Sequence, residues 1–116
     1  MMYEDSTYKD SSIHTLISLE LKEKLEEILT AYLLIHSEYR FDSYKSLINF
    51  TSEYNFKFMK QHSRFILTII FNNNGELSSI VFAGVLGING QTAIRIATTD
   101  DKTPIEVLEA AKSHLI

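Results

Sequence analysis

From Arg64 to Thr99, apolar positions fall into three runs separated by Asn/Gly turns, and this pattern predicts a β-meander. A strand sends successive side chains to opposite faces. Phe65, Leu67, Ile69 and Phe71 therefore share one face, and Ile66, Thr68 and Ile70 share the other. Residues 72–75 read Asn-Asn-Asn-Gly and offer the backbone freedom of a tight connection. The chain then returns with Ile80, Phe82 and Leu86 on one face and Val81, Ala83 and Val85 on the other. Asn89-Gly90 suits a type I′ turn into residues 92–98, where Ile94 and Ile96 are expected on one face and Ala93, Arg95 and Ala97 on the other. A run that is apolar on both faces reads as a central strand covered on both sides, whereas an alternating strand is half solvated. Gly84 and Gly87 read as bulge or close-packing positions.

Towards the N-terminus the period lengthens from two to three or four. Ile17, Leu21, Leu25, Ile28, Leu29, Tyr32 and Ile35 predict an amphipathic helix from about Ile13, capped by Ser12 or Ser18. Residues 1–12 are polar and charged and read as a flexible tail, leaving 13–116 as a single domain. Residues 39–58 are aromatic-rich and divide in two. Residues 42–50, with Asp42 or Ser43 as cap and Tyr44, Leu47 and Ile48 on one side, predict a short second helix. Tyr54, Phe56 and Phe58 alternate strictly and predict an edge strand, with residues 60–63 as the turn into the meander. At the other end, Thr103-Pro104-Ile105-Glu106 places Thr at a cap, Pro at the first helical position and Glu three residues after the cap. A C-terminal helix with an Ile105, Leu108, Ala111, Leu115 stripe follows. The expected fold is α+β: an antiparallel meander of three to four strands, with an N-terminal amphipathic helix and a C-terminal helix packed on the sheet.

Composition narrows the function classes. The 116 residues suffice for one core, and the absence of cysteine excludes disulfides, thiol catalysis and Cys-based zinc sites. Acidic residues near the start argue against a secretory signal, and the longest apolar run, 80–88, is too short to cross a bilayer, so a soluble cytoplasmic protein is expected. A net charge of -4 argues against general binding to phosphate backbones.

Candidate chemistry is sparse. His14, His36, His62 and His114 match no metal-ligand spacing, and Asp100-Asp101 is better read as favourable charge before a helix start than as a cation site. Gly84, Gly87 and Gly90 lie between strands and open no helix onto a phosphate, and no G-x-S-x-G elbow is present. Neither a catalytic residue, a metal nor a cofactor is indicated. The reading that follows is a small acidic protein-binding module, an inhibitor, immunity-type protein or escort chaperone. Glu20, Glu23, Glu26 and Glu27 would steer it to a basic partner, and apolar residues left on the sheet would want a cover, a homodimer included. A second reading is a small-molecule sensor with its pocket between sheet and helices and Tyr44, Tyr54 or His62 as orienting groups. A third takes Lys57, Lys60 and Arg64, interleaved with Phe56 and Phe58, as a nucleic-acid patch.

Overall fold

The computed structural model describes residues 4–6, 17–36, 39–46, 50–60, 63–86 and 92–116. They form one six-stranded antiparallel sheet and two helices. The elements are β1 (Glu4–Ser6), α1 (Leu19–Ile35), β2 (Arg40–Ser46), β3 (Thr51–Lys60), β4 (Ser63–Phe71), β5 (Leu77–Leu86), β6 (Thr92–Thr98) and α2 (Pro104–Leu115). Strand order in space equals order in sequence, β1 to β6, so each strand pairs with its chain neighbours.

Six strands replace the expected three to four. Three residues of the expected tail, Glu4–Ser6, pair with β2 as β1; most of residues 1–12 lie outside the described residues. The expected second helix at 42–50 is also overturned. Residues 40–46 are β2, and Leu47 and Ile48 lie outside the described residues. The physical reason is Phe41. It is buried against Phe56 (centroids 4.7 Å apart) and Tyr54, a cross-strand cluster that the helical period could not supply. The expected edge strand around Tyr54 thus becomes interior, between β2 and β4.

The two helix starts follow from their capping chemistry. Ser18, not Ser12, caps α1, its hydroxyl accepting from the Leu21 N–H at 3.3 Å. In α2 the capping box is complete: Thr103 Oγ1 accepts from the Glu106 N–H (3.2 Å) and Glu106 Oε1 from the Thr103 N–H (2.9 Å).

Both helices join a single core on one face of the sheet. From α1 it takes Leu21, Leu25, Ile28, Leu29 and Tyr32, from α2 Val107, Leu108, Ala111 and Leu115, and from the strands Phe41, Phe56, Phe58, Leu67, Ile69, Phe71, Ile80 and Phe82. The parity read from β4 and β5 holds: the buried residues of each strand alternate with half-buried ones. In β6 the parity changes partway. A bulge shifts the register between Phe82 and Ala83, so that Phe82 faces Ala97 while Ala83 faces Arg95. Ala97 is consequently buried in the core and not on the outer face with Ala93 and Arg95, because one inserted residue turns the rest of a strand over. Gly84 is buried beside this bulge. A Cβ there would meet Ile96 Cδ1 at 3.5 Å, an ordinary contact, so the space at this position does not demand glycine.

Candidate protein-docking surface

Among the described residues, the sheet face turned away from the helices carries a group of half-buried aliphatic side chains. Ile66 and Ile70 on β4 and Val81, Ala83 and Val85 on β5 are half-buried and lie outside the core cluster. Their neighbours in register are polar. One row crosses the sheet as Asp42, Asn55, Thr68, Val81 and Thr98, and the next as Arg40, Lys57, Ile66, Ala83 and Arg95. An aliphatic centre on β4 and β5 is therefore flanked by charge on β2 and β3 and by Arg95 on β6.

Asp42 anchors the polar flank. It is only 5% exposed. Its Oδ2 pairs with Lys57 Nζ, and its Oδ1 lies 3.8 Å from Arg40 Nε with no hydrogen bond of its own. Beside it the Thr68 hydroxyl donates to Asn55 Oδ1 at 2.7 Å. A buried carboxylate held by two cations thus fixes charge on this face at β2 and β3.

The residues singled out from the sequence separate onto three surfaces. Lys57 points to the open face, and Arg64, paired with Met59 at the end of β3, is exposed on the same face. Lys60 turns the other way, its Nζ donating to the His114 carbonyl at the end of α2 (2.8 Å), where a cation satisfies an orphan carbonyl. Phe56 and Phe58 are core residues, so among the described residues these two aromatic rings do not share a surface with Lys57 and Arg64. On α1, Glu20 and Glu23 are exposed. Glu27 is committed to α2 through Lys112 and is also 3.4 Å from Lys24, which in turn lies 3.8 Å from Glu109; the ammonium groups hold its carboxyl below the ordinary range. Glu26 is half-buried, and its charge adds to burial in pushing the Tyr39 hydroxyl up to about 12.

A cleft of about 370 Å³ lies where the ends of β2, β3 and β4 meet the turn after Phe71. Tyr54 and Phe71 line it, as do Lys45, Ser46, Thr51 and Ser52, and Phe50 stands at its lip, 66% exposed with φ 54°. It is not the sheet-to-helix pocket expected from the sequence, although Tyr54 belongs to it. His62 and the Tyr44 side chain lie outside the described residues. Asn72 builds the adjoining turn: its Oδ1 accepts from the Asn74 and Glu76 amides, at 2.9 and 3.0 Å, and its Nδ2 donates to Glu76 Oε1. Among the described residues no group of three His, Asp or Glu could hold a metal ion.

The open-face aliphatics are the residues that sequence reasoning did not name as a site. Their signal was present as the second parity of β4 and β5. What was missing was knowledge of which face both helices would take. Among the described residues no helix is long and apolar enough to cross a membrane. Comparison with protein-family models, curated proteins and solved structures returned no match.

Proposed function

We propose that this chain is a small acidic protein-binding module of the inhibitor, immunity or escort-chaperone kind, and that it covers its partner with the open face of the sheet. One observation carries the reading. Five aliphatic side chains on the interior strands β4 and β5 lie outside the core, bordered by the ordered Asp42–Lys57–Arg40 set. Apolar surface of this arrangement marks an interaction site more often than it marks idle surface. The exposed acids of α1, Glu20 and Glu23, act at a distance, drawing a basic partner in.

The test is quantitative capture of the partner from the native cell by the purified protein and by Val81→Asp, followed by binding kinetics with the partner so identified. Val81→Asp should weaken capture at least about tenfold, as a carboxylate desolvated at an interface centre does. Charge reversal at Glu20, Glu23, Glu26 and Glu27 should slow association and flatten its salt dependence. Capture that is indifferent to Val81→Asp removes the open face from the reading, and affinity and salt dependence unchanged by the charge reversal remove the steering.

A further inference from the structure

β6 ends the sheet, and among the described residues no strand pairs with its outer side. Natural edge strands are guarded by proline, by lysine, by shortness or by cover. The opposite edge, β1, has three residues, two of them acidic. β6 has seven, Thr-Ala-Ile-Arg-Ile-Ala-Thr, β-branched at four positions and free of both lysine and proline. Residues 92–95 are all exposed, and Ile94 is 49% exposed although it lies across from Gly84 on the helix side of the sheet. Arg95, the one charge of the strand, is turned along the chain to Asp100 Oδ2, 3.4 Å away.

We propose that β6 pairs with β6 of a second copy, antiparallel and with the two-fold axis at Ile94, to give a continuous twelve-stranded sheet. The register follows from the side chains. An axis at Arg95 would set two guanidinium groups directly opposite each other, which is unfavourable. An axis at Ile94 sets isoleucine against isoleucine, and Arg95 then falls opposite the partner's small Ala93 and keeps Asp100. A second copy fits this edge better than an unrelated strand because the same exposed apolar residue covers itself, and the pairing closes at two. With the axis normal to the sheet, all four helices stand on one side and both open faces on the other. The dimer presents one docking surface of twice the width. The paired edge is short, well below the area of a stable standard interface, so the dimer should be weak and dissociate on dilution.

Sedimentation equilibrium of the purified full chain, from about 1 to 500 µM, reads this directly. The weight-average mass should rise from one chain to two, and Ile94→Lys should raise the dissociation constant at least about tenfold while its far-ultraviolet circular dichroism is unchanged. Because the chain has no cysteine, single-cysteine variants locate the contact: oxidised Ile94→Cys should form a disulfide-linked dimer and Val81→Cys should not. A mass of one chain throughout the range overturns the proposal. A dimer indifferent to Ile94→Lys, or one linked through residue 81 and not 94, overturns it as well. No partner protein enters the experiment, so its failure is separate from that of the docking face.

Discussion

Replacing Tyr32 by phenylalanine removes one oxygen atom from the seam between α1 and the sheet. Tyr32 is fully buried, and its ring stacks on His36 (4.4 Å between centroids) and meets Phe58 edge-on (4.9 Å); the variant keeps both contacts. What it loses is a doubled hydrogen bond: the hydroxyl accepts from the Met59 N–H at 2.9 Å and donates to the Met59 carbonyl. Those two backbone groups need an outside partner because β2 has ended. Arg40 faces Lys57 in the last pair of that ladder, so Met59 lies two residues beyond it. The hydroxyl stands in for the missing strand, as donor and acceptor at once. Two net hydrogen bonds of about 0.5–1.5 kcal/mol each give a loss of about 1–3 kcal/mol. For a domain of this size that corresponds to a melting temperature lower by about 4–12 °C. Urea unfolding followed by circular dichroism checks it: the midpoint should fall with the slope unchanged, since the surface exposed on unfolding is the same. Amide exchange at Met59 should accelerate by more than that of its neighbours in β3. A loss below about 0.5 kcal/mol would refute the reasoning, because water would then replace the hydroxyl without penalty.

Two further outcomes are expected. Lys57→Met leaves the buried Asp42 carboxylate with Arg40 alone and should destabilise by about 1–3 kcal/mol, whereas Asp42→Leu removes the buried charge and should stay within about 1 kcal/mol of the parent; urea midpoints that reverse this order would show the carboxylate to be well solvated. Stability should also fall above about pH 10: burial raises the Tyr39 pKa from 10.0 to about 12 and also raises that of Tyr32, so the unfolded chain releases these protons first, and the stabilisation, whole below pH 10, is lost as pH rises to 12. A melting temperature flat across that window, in a pH series with matched ionic strength, would contradict the burial of both hydroxyls.

The meander and α2 were legible because each rests on local chemistry, whereas α1 was expected from about Ile13 and begins at Leu19. Thr103, Pro104 and Glu106 announce α2 through bonds that span three residues, and the alternation in β4 needs only the geometry of a strand. β2 was misread because its evidence is non-local. Phe41 belongs in a strand only when Phe56 stands across from it, fifteen positions along the chain. Asp42 resembled a helix cap for the same reason: its true partner, Lys57, comes from the next strand. The bulge beside Ile96 was hidden too. It arises from the match of β6 to β5, and no residue within Thr92–Thr98 marks it.

The same distinction separates the residues that could draw a partner in from those that could hold it. Much of the charge on the helix side is spent inside the molecule: Glu27 on Lys112, Lys60 on the His114 carbonyl, and Lys24 near both Glu27 and Glu109. Exposed acids such as Glu20 and Glu23 can still attract a basic protein, but solvated side chains contribute to the speed of encounter more than to the lifetime of a complex. Lifetime follows desolvated apolar contact, which on the proposed reading the sheet would supply on its other face, at Ile66, Ile70, Val81, Ala83 and Val85. The two contributions therefore sit on opposite sides of one thin layer. Charge changes on α1 should act on association rates, changes on β4 and β5 on dissociation rates, and the two effects should add, because the intervening core keeps the groups from touching.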